Sequence, residues 1–159
     1  MTLTIRRAQR GDIHTLIRLV RTVHQQHIDA NPDRYKPLNT QDPALLQFYR
    51  DHLSNPEAHV FLAERNETSV GFLLAYLRHI PENPFIYTGT DFHIDQISVE
   101  AAHQSQGIGG RLMETALETA RELDVDSVSL GVAAFNQRAV RFYERYGFEV
   151  SSLRMRRYL

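Results

Sequence analysis

The most informative stretch of the sequence is the segment Gln104-Ser105-Gln106-Gly107-Ile108-Gly109-Gly110. It places three glycines between a predicted strand and a predicted helix. The strand ends at Val99, and the helix continues to Leu123 with apolar residues along one face. Glycines at a helix start leave backbone N–H groups uncovered, and the helix dipole adds positive potential there. Such a turn suits a phosphate or pyrophosphate, although a tightly packed connection explains the glycines equally well.

Two familiar nucleotide-binding loops do not fit this segment. A dinucleotide-binding fingerprint needs a third glycine where the chain has Leu112. A P-loop needs Gly-Lys followed by Ser or Thr, and the chain has Leu112-Met113-Glu114 near that place. The glycines therefore do not belong to either of these two classes of loop.

Hydrophobic periodicity on both sides of the segment predicts a mixed α/β domain. Residues 3–8, 59–63, 69–80, 92–99 and 127–132 have strand patterns, and 148–159 is a final strand region, either straight or bent. One-sided apolar patterns predict helices from residue 13 to about 30, over 43–53, from the glycine turn to 123, and over 137–146. Early antiparallel strands followed by a late β-α-β unit predict a mostly antiparallel central sheet flanked by helices.

Length and composition restrict the function classes. The 159 residues fit one domain over 1–159, and 18 Lys and Arg against 19 Asp and Glu provide no field that attracts nucleic acid. The absence of cysteine excludes disulfides, thiolate metal sites and a cysteine nucleophile. No apolar run is long enough to span a membrane, and the first residues carry no secretory signal pattern. We therefore expect a cytoplasmic protein without nucleic-acid or membrane partners.

A second motif follows the glycine segment. It reads Asn136-Gln-Arg-Ala-Val-Arg-Phe-Tyr-Glu-Arg-Tyr-Gly-Phe148, a short predicted helix closed by Gly147. With Gln104-x-x-Gly107-x-Gly109, it closely resembles the GNAT superfamily of N-acetyltransferases. The resemblance covers nearly the whole chain, and its specific part lies between residues 91 and 148. It implies the GNAT fold and transfer of the acetyl group of acetyl-CoA to a primary amine.

The resemblance also implies which residues hold acetyl-CoA, the co-substrate. The glycine turn would wrap the pyrophosphate, the preceding strand would pair with the pantetheine arm and direct a backbone N–H at the thioester carbonyl, and Asn136 would reach the arm from the second motif. Ser129 to Val132 would form the opposite wall. The implied cofactor-binding residues are Ile97, Ser98, Val99, Gln104, Ser105, Gln106, Gly107, Ile108, Gly109, Gly110, Asn136 and Tyr143.

Acyl transfer to an amine requires two proton transfers. An alkyl ammonium with a pKa near 10.4 must lose a proton, and the departing thiolate must gain one. Tyr143 matches the family tyrosine that serves as the acid, although a tyrosine on a helix face is often only a core residue. Counting by twos from Val99 places His93 and Asp95 on the face that carries Ile97, so either is a candidate base. Some relatives use no dedicated base.

Several questions stay open at this stage. A different acyl-CoA or acceptor, or an acyl-CoA-binding sensor without turnover, would fit the same motifs. The acceptor would be chosen by segments 31–42 and 81–90 and by the last strands. With no cysteine or third ligand nearby, we expect His24 and His27 to lie on a solvated helix end and no metal to bind. The resemblance also implies a homodimer formed through C-terminal strands.

Overall fold

The computed structural model describes residues 2–159, and nearly all predicted elements are present. An α/β arrangement of one sheet and four helices is confirmed, and the glycine segment lies at the start of the third helix. The elements are β1 (Leu3–Arg7), α1 (Ile13–Ala30), α2 (Pro43–Ser54), β2 (Ala58–Arg65), β3 (Thr68–Ile80), β4 (Gly89–Val99), α3 (Ile108–Glu122), β5 (Ser127–Leu130) and α4 (Gln137–Arg145), with 3-10 turns at Arg10–Asp12 and Ala101–His103.

The five strands form one sheet in the order β1-β2-β3-β4-β5. The first three pairs are antiparallel, and β4 pairs with β5 in parallel. The parallel pairing is short: it begins at Asp91 with Ser127 and ends at Ile94 with Leu130. Beyond that point β4 continues to Val99 without a partner on the β5 side, so the two strands leave a cleft between them.

The sheet separates two hydrophobic clusters. One lies under α3 and includes Leu73, Ala75 and Ile94, with side chains of α4 packed against it. The other lies under α1 and α2 and includes Leu74 and Phe72. Because both faces of β3 are covered, its near-continuous apolar run is buried, as the sequence predicts. Among residues 2–159, no helix is long and apolar enough to cross a bilayer.

A β-bulge in β4 corrects the predicted side-chain alternation. Gln96 pairs with Leu74 and Ile94 pairs with Ala75, so Asp95 is an extra residue opposite no partner. The bulge shifts the alternation by one residue. His93 therefore lies on the α1/α2 face, against Tyr76, and not on the face that carries Ile97. The prediction that His93, Asp95 and Ile97 share one face was wrong, because simple alternation does not include a bulge.

The predicted final strand is also absent. Residues 148–159 have no strand structure, and the segment from 149 onwards is exposed. Leu153 and Met155 are 84% and 92% exposed, whereas Phe148 still packs against the α3 cluster. A strand exists only through hydrogen bonds to a neighbour, and within this chain the segment pairs with none of the five strands.

Candidate active site

A cavity of about 570 Å³ lies where the glycine turn, the end of β4 and α4 meet. It contains nearly all of the predicted cofactor-binding residues; Gln106 alone does not line it. Instead, the Gln106 side chain bonds Ala102 and Arg65. The lining residues are Thr22, Val23 and Gln26 from α1, Ile97–Val99 from β4, His103, Gln104, Ser105 and Gly107–Gly110 from the turn, and Asn136, Arg138, Ala139, Arg141, Phe142, Tyr143, Arg145 and Tyr146.

The turn exposes backbone donors because of its conformation. Gly107 is the N-cap of α3, with φ of 80°, a left-handed value that favours glycine. The first intrahelical bond of this end runs from the Arg111 N–H to the Gly107 carbonyl. The N–H groups of Ile108, Gly109 and Gly110 precede it and have no intrahelical acceptor. Together with the helix dipole they form a site for an anionic group.

Gly110 permits the close approach of α4. A Cβ at this position would lie 2.5 Å from the hydroxyl oxygen of Tyr146, so the Tyr146 side chain would have to shift. Gly109 is different, since a Cβ there would meet the Phe142 ring at an ordinary 3.6 Å. The two glycines therefore have different reasons to be small: Gly110 for helix packing and Gly109 for access to the cavity.

A row of arginines on α4 faces the turn, and the sequence analysis missed it. Arg138 donates to the side-chain oxygens of Gln104 at 3.1 Å and of Ser105 at 2.9 Å. Arg141 and Arg145 also line the cavity. Their spacing of three and four residues puts them on one helix face, and this pattern is visible in the sequence. The cavity thus combines uncovered amides with guanidinium groups, as a polyphosphate ligand requires.

Asn136 has a structural task besides its place in the cavity wall. Its side-chain oxygen accepts the Ala139 N–H at 3.1 Å and caps α4. Its amide nitrogen lies 3.4 Å from the Gln26 oxygen of α1. The residue therefore holds the start of α4 against α1 in the wall of the cavity.

A second cavity, of about 220 Å³, opens in the cleft between β4 and β5. Its floor is formed by Ile94–Ile97, and the opposite wall by Leu130–Ala133, including most of the predicted wall segment. Ser129, the first residue of that predicted segment, is not in the wall. The wall from α1 contains Val20, Val23, His24 and His27.

The two cavities meet at Tyr143. Five residues line both, namely Val23, Ile97, Asn136, Ala139 and Tyr143. Burial raises the pKa of Tyr143 to about 12, so its hydroxyl stays protonated at neutral pH. Its ring packs against Phe142 and Phe148, with centroids 5.4 and 6.0 Å away. Tyr143 therefore combines a packed ring with a protonated hydroxyl at the junction of the two cavities.

The structure separates the two candidate bases. Asp95, at the bulge, is exposed and lines the second cavity, whereas His93 is half-buried and does not line it. Burial and the charge of Arg78 lower the pKa of His93, against the opposing effect of Asp95. His93 is therefore neutral at neutral pH.

Hydrogen bonds assign the tautomer of His93. The Ser129 hydroxyl donates its single proton to Asp91 at 2.6 Å, so the contact of 2.9 Å to His93 Nδ1 requires that Nδ1 donate. Asp91 is buried and accepts also from Ser127 and Arg78. Burial opposes its ionisation, but these bonds outweigh burial and keep its pKa below the usual value. His93 Nε2 is left as the acceptor nitrogen.

The histidines of α1 also differ from the prediction. His24 and His27 are half-buried in the wall of the second cavity, so a solvated helix end was wrong. His24 Nε2 lies 2.8 Å from the Lys36 carbonyl, and the His27 ring contacts Tyr35 at 5.0 Å and Phe135 at 5.8 Å. Within residues 2–159, no group of three or more His, Cys, Asp or Glu side chains is arranged to hold a metal ion.

Known proteins resemble this chain in sequence and in fold. The chain is 31% identical over 118 residues to the N-alpha-acetyltransferase RimI of Mycobacterium tuberculosis, covering 74% of this chain and 68% of that protein. It is 37% identical over 92 residues to a mycothiol acetyltransferase of Brachybacterium faecium, covering 58% of this chain. That match spans only about a quarter of the mycothiol acetyltransferase, 26% of its length.

A solved structure shares the architecture over its full length. The crystal structure of a tetramutant Bacillus halodurans protein superimposes with a TM-score of 0.91 at 22% identity, covering 98% of this chain and 99% of that one. Residues 22–148, which hold both motifs and all the residues that line the two cavities except Val20, match the acetyltransferase (GNAT) family. The chain belongs to the acetyltransferase (GNAT) family.

Proposed function

We propose that this protein is an acetyl-CoA-dependent N-acetyltransferase that acetylates a primary amine. One observation supports this most strongly: a cavity built for a polyphosphate meets a second cavity at a protonated tyrosine. Family membership adds the reaction class. In this arrangement acetyl-CoA occupies the first cavity and the amine enters the second.

The cofactor is held through backbone and cationic groups. The N–H groups of Ile108, Gly109 and Gly110 bind the pyrophosphate, and Arg141 and Arg145 face the remaining phosphate charge. Arg138 orients the turn by bonding Gln104 and Ser105. The pantetheine arm runs along residues 97–99 of β4, whose β5 side has no strand partner.

The reaction requires one bond to form and one to break. The neutral amine attacks the thioester carbonyl carbon, the new N–C bond forms, and the C–S bond breaks to release CoA thiolate. Asp95 binds the incoming ammonium, since it is the carboxylate that lines the second cavity. His93 Nε2 accepts the amine proton through a water molecule, because the neutral ring carries its own proton on Nδ1 and does not line the cavity directly.

Tyr143 stabilises the thiolate by holding a proton toward the sulfur. A thiol has a pKa near 8.5, whereas Tyr143 has a pKa of about 12. Complete proton transfer from the tyrosine is therefore uphill by roughly three to four pKa units. We expect a hydrogen bond to the developing thiolate to supply most of the benefit, with solvent completing the protonation.

The test is a thiol-release assay with acetyl-CoA and a broad panel of primary amines, combined with mass detection of the acetylated product. We expect amine-dependent release of CoA well above hydrolysis. Propionyl-CoA and succinyl-CoA in parallel would reveal a different acyl donor. Tight acetyl-CoA binding in calorimetry without CoA release for any amine would overturn the proposal in favour of a non-catalytic acyl-CoA sensor.

We also propose that two copies of the chain associate through the C-terminal segment. Residues 149–159 are exposed and carry five large hydrophobic side chains, Val150, Leu153, Met155, Tyr158 and Leu159. Strand β5 has a strand partner on one side only. In such a dimer, the C-terminal segment of one copy adds as a strand to the unpaired edge of β5 in the other copy. This pairing supplies hydrogen-bond partners to the edge. Light scattering after size exclusion should give a dimer for the wild type and a monomer for Leu153→Asp; a monomeric wild type would contradict the proposal.

A further inference from the structure

The second cavity has an unusual distribution of charge. Of its fifteen lining residues, Asp95 is the carboxylate, and no lysine or arginine is among them. The remaining walls are mostly aliphatic, with contributions from Val20, Val132 and Ile94 among others. A cavity with one negative charge and apolar walls favours a ligand with one positive charge and an apolar body.

Other acidic groups near the cleft do not add a second cation site. Asp91 is buried and ion-paired with Arg78, whose Nε lies 2.9 Å from its Oδ2. Asp29 is exposed and accepts a bond from Gln25 at 2.8 Å. Asp33 and Glu82 are exposed on loops and do not line the cavity. A ligand with several ammonium groups would therefore leave all but one of them without a carboxylate in the cavity.

The wall formed by α1 contains the flat ring of His27. Burial and the neighbouring His24 lower the pKa of His27, and its Nδ1 is buried without a hydrogen-bond partner among the described residues. A neutral His27 does not repel a cation. Its ring contacts the rings of Tyr35 and Phe135, which do not line the cavity themselves. The His27 imidazole held between them is therefore a flat part of the cavity lining, called here the His27 wall.

The size of the cavity limits the ligand further. A volume of about 220 Å³ lies below the roughly 300–1,000 Å³ of pockets that enclose drug-sized molecules. A space of this size surrounds most of an arylalkylamine, whereas an aminoglycoside or a folded peptide segment extends out of it.

We propose that the acceptor is a compact primary monoamine with an apolar or aromatic body, held by Asp95 through its ammonium and by the His27 wall through its body. This inference rests on the proposed acetyl transfer. Asp95 thereby binds the ammonium group of the amine, and the His27 wall selects for the shape of its apolar body.

The experiment compares kcat/KM for phenethylamine and hexylamine with that for spermidine and kanamycin, by CoA release at one ionic strength. We expect both monoamines to exceed both polycations by at least tenfold, and Asp95→Asn to lower the monoamine values by more than tenfold. Asp29→Asn removes an acid outside the cavity and should leave them unchanged. His27→Ala should reduce phenethylamine more than hexylamine.

Failures of the two proposals are distinguishable. Release of CoA that is fastest with spermidine or kanamycin, or that is unaffected by Asp95→Asn, would reject the monoamine class and leave acetyl transfer intact. Absence of CoA release with every amine would reject acetyl transfer. In that case ligand-detected NMR with CoA present decides the class: phenethylamine should bind and lose binding in Asp95→Asn, whereas preferential binding of kanamycin would overturn the inference.

Discussion

The two cavities are built in different ways. The first cavity, which we propose holds acetyl-CoA and which is called the cofactor cavity here, has an anion site formed by one continuous backbone turn, residues 104–110, and one face of α4. The second cavity is called the acceptor cavity. The acceptor cavity is assembled from side chains of α1, the β4 bulge and the loop after β5, which are far apart in sequence. Backbone recognition depends on a few glycines, whereas recognition by side chains is shared among many residues. A single substitution should therefore damage the first cavity more than the second.

The largest effect is expected for Gly109→Glu. A Cβ at this position makes only an ordinary contact with Phe142, so the fold should survive. The carboxylate would meet the pyrophosphate site and displace at least two charge-assisted bonds worth roughly 1.5–3 kcal/mol each. Acetyl-CoA affinity, measured by calorimetry, should fall by a hundredfold or more.

The matched control is Gly11→Glu. Gly11 lies outside both cavities, and a Cβ there meets nothing within 4 Å. It should retain wild-type affinity. Near-normal binding by a folded Gly109→Glu protein would show that the turn does not hold the pyrophosphate.

The next effect concerns the base of the acceptor side. His93→Gln keeps a polar side chain but removes the acceptor nitrogen, and kcat/KM should fall by roughly a hundredfold, the lower end of general-base effects. Because its pKa is lowered from 6.5, His93 is protonated and inactive only in more acidic solution. The wild-type rate should therefore decline below about pH 6.5 as pH falls, and His93→Gln should lack this decline.

The exposed His79, which contacts Glu57, supplies the control for that profile. His79→Gln should keep both the rate and the acidic decline. An unchanged acidic decline in His93→Gln would assign the base to Asp95 or to no residue.

A smaller effect is expected at the junction of the cavities. Tyr143→Phe preserves the ring packing and removes the proton donor. Because the pKa of about 12 makes complete transfer to the thiolate unfavourable, kcat should fall by only about tenfold. Acetyl-CoA affinity and melting temperature should change little. Tyr87→Phe, at an exposed tyrosine, controls for the substitution itself. A loss of stability with full turnover would mark Tyr143 as a packing residue alone.

The smallest effect is on stability, and it belongs to the acceptor side. The folded-state pKa of His27 lies below its unfolded value of 6.5, so the unfolded chain binds more protons as pH falls past 6.5. Its contribution to stability is intact above that pH and is lost progressively below it. The melting temperature of His27→Gln should therefore fall less between pH 7 and pH 5 than that of the wild type. The exposed His14→Gln should follow the wild type, and identical curves for all three proteins would contradict the shift at His27.

Local patterns predict most of the elements because their causes are local. The one-sided apolar face of α1, the Pro43 start of α2 and the glycines before α3 each act within one or two turns of chain. The final strand failed for the opposite reason, since residues 148–159 have a strand-like composition but no neighbour in this chain to bond.

His93 and Asp95 show most clearly what a sequence pattern cannot predict. His93 and Asp95 are two residues apart, and simple alternation predicts one face for both. The pairing of β4 with β3 contains a bulge at Asp95. Because of this bulge, Asp95 lines the acceptor cavity and His93 does not. Ser129 and Asp91 then set the tautomer of His93 through bonds that join β4 and β5. No spacing in the sequence contains that information.

The family and the order of the helices and strands up to α4 could be predicted from the sequence. So could the glycine turn that we propose binds the pyrophosphate, because a glycine-rich helix start exposes its amides in any fold. The tertiary structure alone decided which side chains share the acceptor cavity. That cavity brings together α1, the bulge of β4 and the loop after β5, and their meeting depends on strand register and on where the β4–β5 pairing ends. Register is a relation between strands distant in sequence, so it arises only when the sheet is assembled.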